Sequence, residues 1–543
     1  MLKMMCGSML PMKGSTGNEA YSYSDRHFRQ ACKAILGGEV GALKDYEEWL
    51  LTLKQPQGCA KSSVSGTLLA LVSPDYPQAA RYLSMDEAFA EKPAPFSIND
   101  IKDVDSLFAA ARERFAYSGN LIFGNSQFVE ASTDVSDSFY IYKSARISGC
   151  KSIACSTIIK DSSYLFGCNV SSKNEHCMRC HQFTFDARCF EACLTTNSSD
   201  AYFVYDCVGC KDVMFSFGQR NAVCAIGNLA LPKEKYMGLK AALLEQMRDE
   251  LAARKKLPSL SEIFSSAAKE KSVLSPEAKS CARKFERKIN RAPVQKAWDV
   301  ACGLVLGREI GDLARCREWL VRHNIQIRKV QSVLGSGEIQ AGSYENLKAL
   351  PDSRYVNIDE MRPLARLLKL DEKEAEGITL ANAGKTLGRI LHITPQFHDG
   401  TIINAYECPI VTWSSDCQGV HGCIFMKKSA YSTWGRDSEY LFGSAFVFDS
   451  GFSIKCYNSF KIKNCFEVDS ARSSTGCYFC HNVENCHDAI FCSNAKNLRY
   501  AVCNKEMGKE EFARVKALLL SRVNGEIAKT GACAMDVYSI GKK

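Results

Sequence analysis

The chain is written twice, and no other feature constrains its fold as tightly. Ala31-Cys32-x3-Leu36-Gly37-x-Glu39-x-Gly41-x-Leu43-x4-Glu48-Trp49-Leu50 returns 270 positions later as Ala301-Cys302-x3-Leu306-Gly307-x-Glu309-x-Gly311-x-Leu313-x4-Glu318-Trp319-Leu320. Asp161-Ser-Ser-Tyr-Leu-Phe-Gly167 recurs 276 positions on as Asp437-Ser-Glu-Tyr-Leu-Phe-Gly443, and Cys180, Cys189 and Cys210 keep that register with Cys456, Cys465 and Cys486. Agreement over such a distance implies a tandem duplication of a two-part module. At 543 residues the chain also exceeds what one hydrophobic core can serve, so four pieces are expected.

Composition narrows the class. An apolar fraction of 46% with 24% charged residues belongs to a folded chain. No run of 18 apolar residues exists, so no membrane span is expected. Met1-Leu-Lys-Met-Met-Cys6-Gly-Ser lacks the apolar core of a secretory signal, which makes the cytoplasm the expected compartment. There the 27 cysteines read as buried small hydrophobes or metal ligands rather than as disulfides. A net charge of +9 permits an acidic partner without demanding one.

Two patterns alternate. Phe28, Cys32, Ile35, Leu36, Leu43 and Trp49-Leu50-Leu51 fall at helical spacing with Gly37-Gly38 as a break, so 20–117 reads as a helical and mixed module and 292–395 as its copy. Within them Arg81-Tyr82-Leu83-x-Met85-Asp86-Glu87 and Arg354-Tyr355-Val356-x-Ile358-Asp359-Glu360 read as an extended segment entering an acidic helix start. Over 118–228 and 396–505 bursts of aromatic, β-branched and Cys residues alternate with Ser, Asp, Asn, Gly and Lys, as in strands with tight turns. Bursts near Phe139, Ile153, Tyr164, Cys177, Phe190, Tyr202 and Val213 recur every 11 to 14 residues, one coil of a solenoid each. A coil of about 12 residues has a perimeter of roughly 40 Å and room for one or two side chains across. Cysteine, serine and alanine suit so narrow a core, and 20 of the 27 cysteines lie within 150–224 and 408–503.

The expected fold class is therefore α+β: each copy a helical module followed by a narrow parallel β-solenoid of about 12 to 13 residues per coil, right-handed by the general rule for parallel crossovers. Asn228-x3-Pro232-Lys233-Glu234-x-Tyr236 and Asn504-x3-Gly508-Lys509-Glu510-x-Phe512 mark capping helices in 229–252 and 506–543, which protect the open end of each solenoid. Residues 1–19 read as a flexible N-terminus and 253–291 as a partly helical basic linker. Phe285 is the only aromatic in its Arg283–Arg291 run, which argues for a solvated helix over a nucleic-acid patch.

These Cys-rich coils, ending in Cys503-Asn504-Lys505 and Lys509-Glu510-Glu511-Phe512, resemble the cysteine-rich β-helix proteins of small-genome archaea and candidate-phylum bacteria. The resemblance covers about half of the chain and implies a fold without an activity. A looser likeness, of repeat alone, is to the short β-helices of tubulin-cofactor C and bactofilins.

Chemistry concentrates in two places. Cys177-Met-Arg-Cys180-His181 and Cys477-Tyr-Phe-Cys480-His481 have the c-type haem form, but they stand at non-equivalent points of the duplication, and cytoplasmic chains do not attach haem this way. Zinc or an iron–sulfur cluster suits the ligand set better: Cys177, Cys180 and His181 in one copy, and Cys477, Cys480, His481, Cys486 and His487 in the other. Residues i and i+3 of a strand face opposite ways, so either pair converges only around a corner. No phosphate loop, dinucleotide fingerprint or nucleophile elbow is present. The leading expectation is a non-enzymatic scaffold with a protein partner or self-association; a metal-binding or redox protein is the second, and an enzyme of unread class the third.

Overall fold

A computed structural model describes residues 18–55, 57–91, 101–272, 274–283, 289–343 and 350–542. Residues 1–17 of the N-terminal segment and 284–288 of the basic run lie outside them. The fold is α+β. Two long sheets built mainly of parallel strands carry helices packed on their faces and ends. The helices used below are α1 (Glu19–Leu36), α2 (Val104–Arg114), α3 (Lys233–Arg254), α4 (Leu260–Ala267), α5 (Ala292–Leu306), α6 (Ala383–Leu387) and α7 (Lys509–Thr530).

Register explains the sheets. Phe139–Tyr142 pairs with Lys151–Ala154, which pairs with Ser163–Phe166, while the intervening Ala145–Ser148 pairs with Thr157–Lys160. Partners stand twelve residues apart, as Lys151 does from Ser163 and Glu439 from Gly451; the opening pairs Ile122 with Val135 and Phe397 with Ile410 are thirteen apart. Each twelve-residue stretch thus lies over the one before it on two alternating ladders. That path is compatible with a parallel β-solenoid.

A shorter period lies inside the longer one. Phe128, Ala131, Asp134, Asp137, Tyr140, Lys143 and Arg146 all have positive φ, and the series continues at every third residue through most of both sheets. The residue after each of these faces inward: Val129, Val135, Ile141, Ile147, Cys150 and Ile153 open one buried cluster whose members all differ by multiples of three. The second sheet has the same arrangement from Ala405 to Ala501. A left-handed L-residue costs roughly 1–2 kcal/mol, so these bends persist only because the packed interior and the ladders on either side hold them. Asn, Asp and Gly recur there because they tolerate left-handed backbone best.

Helix α1 buries Phe28, Cys32, Ile35 and Leu36 against the first sheet and stops at Gly37, whose left-handed φ of 75° lets its N–H reach Lys33 O at 3.1 Å. Helix α5 does the same on the second sheet and stops at Gly307 with φ 78°. The other half of each helical module crosses over. Leu69, Tyr76, Tyr82, Phe115 and Tyr117 share a core with the second sheet, α5 and α7. Ile339, Tyr355, Met361, Leu364 and Ile393 share one with the first sheet, α1 and α3. Each half of the chain covers the end of the other half's sheet.

The stretch read as a partly helical linker carries a packed helix. Leu257, Leu260, Ile263, Phe264 and Ala267 are buried in the first core. Their apolar spacing on α4, capped by Ser259 and Glu262, marks a packed helix.

Candidate functional site

Most of the sheet thiols line the interiors, while Cys155, Cys193, Cys224 and Cys503 face the helical cores. Cys177 and Cys180 sit in the first inner cluster and Cys477, Cys480 and Cys486 in the second, all fully buried. Each Cys-x-x-Cys pair converges because a left-handed residue lies between its members, Arg179 with φ 50° and Phe479 with φ 53°. The histidines that follow stand one position on and face out of the wall. His481 meets Tyr76 and Tyr117, and His487 is half-buried on the strand His487–Ile490. His181 is buried beside His421, and burial followed by that neighbour lowers its pKa to about 3. The structure therefore gathers the cysteines and parts them from their histidines. Among the described residues no group of three or more His, Cys, Asp or Glu side chains is arranged to hold a metal ion.

What the interior positions do is hydrogen-bond. Ser138 Oγ donates to Ser136 O at 2.7 Å and accepts the Cys150 N–H at 3.0 Å. Ser156 repeats this toward Ala154 O and the Cys168 N–H, as does Ser450 toward Phe448 O and the Ile462 N–H. Each hydroxyl satisfies a backbone group in its own turn and another twelve residues on, which a buried turn otherwise leaves unpaired. Cysteine replaces serine in the same column: Cys150 Sγ donates to Ser148 O at 3.1 Å. Burial pushes Cys150, Cys408 and Cys423 up to about 12, so these thiols stay protonated and act as donors, to Ser148 O, Tyr406 O and His421 O. The signal was present in the sequence as Ser132, Ser138, Ser144, Cys150, Ser156, Ser162 and Cys168, six apart.

Sequence reading missed a pair of buried ion pairs. Arg179 lies 3.1 Å from Glu191 and Lys455 3.6 Å from Glu467, at positions 276 apart. Both cations lie over the tryptophan of a recurring Glu-Trp-Leu, Arg179 at 4.7 Å from the Trp49 ring and Lys455 at 5.4 Å from Trp319. Both carboxylates accept a backbone N–H from the segment after the capping helix, Leu260 at 2.9 Å and Val537 at 3.1 Å. Burial pushes Glu467 up to about 7 against the opposing pull of Lys455. Sheet, helical module and following segment meet at each pair. Gly167 and Gly443 belong to the same joint, because a Cβ there would stand 3.0 Å from Leu50 O and 2.8 Å from Leu320 O. The recurrence of Trp-Leu and of Tyr-Leu-Phe-Gly in the sequence follows from this joint.

The arrangement nearest to a catalytic dyad is Asp469 and His481. His481 Nδ1 lies 2.8 Å from Asp469 Oδ2, and both side chains are fully buried. The other nitrogen, Nε2, accepts the Ser118 N–H at 2.9 Å, which fixes the proton on Nδ1 and leaves no ring nitrogen for a substrate. Asp469 also accepts Tyr76 OH at 2.5 Å and Asn458 Nδ2 at 2.7 Å. Burial opposes its charge, yet the hydrogen bonds from His481 and Tyr76 hold its pKa below the usual carboxylate value. The dyad docks Tyr76 and Ser118 onto the second sheet. At the equivalent point of the first sheet stand Cys193 and Tyr205, and Tyr205 OH donates to Thr394 O at 2.9 Å.

Between the sheets runs an apolar slot of about 120 Å³, walled by residues such as Ile158, Val170, Leu194, Ile424, Trp434 and Phe446. Polar contacts close it in antiparallel order: Asp134 to Arg472 at 2.6 Å, Arg146 to Asn458 at 2.8 Å, Lys160 to Asp449 at 3.5 Å and Ser172 to Arg436 at 2.5 Å. The slot is the seam of the two halves. No family model, curated protein or solved structure matches the chain. Among the described residues no helix is long and apolar enough to cross a membrane.

Proposed function

We propose that the chain is a non-enzymatic scaffold. In this reading two tandem copies each carry a helical module and a narrow parallel β-solenoid of about twelve residues per coil, and the copies brace one another. The twelve-residue register, the inner clusters at multiples of three and the ion pairs 276 positions apart support the architecture. One observation carries the function: the Asp469 and His481 pair has both imidazole nitrogens engaged within the chain and no exposure. Its chemistry goes into assembly.

A repeating wall offers an ordered outer surface. Trp413, Phe425, Asp437, Asp449 and Lys461 follow one another at left-handed corners twelve residues apart, about 4.8 Å from one to the next. At its start Phe425 is 44% exposed and stacks on Trp413 at 5.3 Å, and Ile403 on an opening strand is 59% exposed. Apolar exposure of this kind suits a protein partner or a further copy of the chain. Sedimentation of the purified chain, alone and with its co-isolated partner, tests this. Association that is lost in Phe425→Asp and Ile403→Asp supports the scaffold; a chain that stays monomeric and turns over a small molecule contradicts it.

A further inference from the structure

The duplication supplies an internal control for every cavity. Beside the last coils of the first sheet, α4 packs on α6 with Ile263, Phe264, Ala383 and Leu387 buried. Two glycines permit the approach. A Cβ on Gly384 would stand 2.5 Å from Ser266 Oγ, and one on Gly388 would overlap the Glu270 side chain. Arg354 then fastens the end of α4 through Ala267 O at 3.1 Å and Glu270 O at 2.6 Å.

In the other half those two glycines are replaced by bulk. Phe108 and Arg112 on α2 stand 276 positions before Gly384 and Gly388. The stretch 276 positions after α4 forms turns over 537–541 instead of a helix. Close packing is lost, and a cavity of about 650 Å³ remains between α2, α7, this segment and the second sheet. Its size lies within the range of about 300–1,000 Å³ common for small-molecule sites.

The lining has two characters. Phe108 meets Phe491 edge-on at 5.7 Å, and Phe479 stacks on Phe491 at 5.3 Å, which gives an aromatic floor beside Val523 and Ile540. The rim holds Asp105, Arg112, Arg522, Glu526 and Lys542. Arg522 is committed to Glu526 at 2.7 Å, and Glu526 also accepts the Ala534 N–H at 3.2 Å. Arg112 and Lys542 are exposed and have no ion-pair partner among the described residues. Burial pushes the Cys533 thiol up to about 12, so the cavity holds no reactive thiolate.

We infer that this cavity is a binding site for a small amphipathic anion, with an aromatic or aliphatic body on the Phe108, Phe479 and Phe491 floor and a single anionic group at Arg112 and Lys542. In the first half α4 occupies the equivalent space. The inference does not depend on the scaffold reading.

Fluorescence titration with 1-anilinonaphthalene-8-sulfonate, and in parallel with the uncharged N-phenyl-1-naphthylamine, tests it on the full chain, with decanoate as competitor. Saturable binding of both probes near one per chain is expected, with decanoate displacing the sulfonate. Arg112→Ala with Lys542→Ala should weaken the sulfonate about tenfold and leave the neutral probe within twofold. Met535→Trp, which fills the cavity, should abolish both, whereas Lys529→Ala elsewhere on α7 changes neither. Thermal melts check that each variant is folded. Absence of binding to the unmodified chain, or binding that survives Met535→Trp, overturns the site; equal loss of both probes on removing the cations overturns the anion assignment.

Discussion

The two halves solve the same assembly problem with different side chains. Where the first half joins sheet to helical module with Arg179 and Glu191 under Trp49, the second uses Lys455 and Glu467 under Trp319. Where the first docks its partner segment with Cys193 and Tyr205, the second uses Asp469 and His481. Backbone register decides which positions must meet; the chemistry of the meeting can change while that geometry holds. The second half is the more polar at its joints, and there the departures from the first collect, including the cavity beside α2.

The largest effect should come from splitting a buried ion pair. Lys455→Met leaves Glu467 buried without its cation and is expected to cost about 3–5 kcal/mol; adding Glu467→Leu should recover most of that, and Arg179→Met with Glu191→Leu should behave alike. Urea unfolding of the three variants measures it. Equal cost for single and double variants would mean that the joints are held by packing alone.

Next, His481→Phe removes the acceptor of the Ser118 N–H and a partner of Asp469, at an expected cost of about 3 kcal/mol. Installing the first half's solution, Asp469→Cys with His481→Tyr, should cost less than His481→Phe alone, as read from thermal midpoints. If the double variant is the worse, the two docking joints are not interchangeable.

A smaller, pH-dependent effect is expected at His323, whose ring nitrogens lie 3.1 Å from Asp536 and 3.3 Å from Asp75. Burial opposes its charge, but these carboxylates raise its pKa to about 9. The folded state then holds a proton that the unfolded state releases near pH 6.5. The stabilisation is full below pH 6.5 and is lost as pH rises through 9. Its size is about 2 kcal/mol after allowance for solvent. His323→Gln should flatten stability between pH 6.5 and 9, and an unchanged slope would contradict the assignment. The smallest effect is in the inner column: Ser450→Ala strands the Ile462 N–H and should cost about 1 kcal/mol, with Ser450→Cys costing less because cysteine already serves at Cys150.

Part of this was legible in the residues. The α+β class and the alternation of helical and strand-like segments stand in the sequence, because the two kinds of segment differ in residue pattern. The three-residue period was hidden, since bursts such as Phe139–Tyr142 invite an alternating strand, whereas a left-handed residue at Tyr140 turns the wall instead. The cysteines were placed inside correctly, but His181, His481 and His487 follow the turn outward, which sequence adjacency conceals. The crossing of docking segments could not be read: nothing in Tyr76 or Ser118 shows that their partners lie more than 350 residues away. The packing of residues 257–267 could not be read for a related reason, their partner α6 lying beyond 380.

One side chain reports the crossing directly. Phe89 is 41% exposed at the edge of the first docking segment, with the Lys496 ammonium of the second sheet 4.6 Å from its ring. Replacing Phe89 with p-benzoylphenylalanine, irradiating at a dilution that keeps the chain monomeric and mapping the adduct by mass spectrometry tests the arrangement. The account predicts an intramolecular adduct within residues 484–506; an adduct at the equivalent stretch of the first sheet, around Arg220, would show that each half docks onto itself and would contradict it.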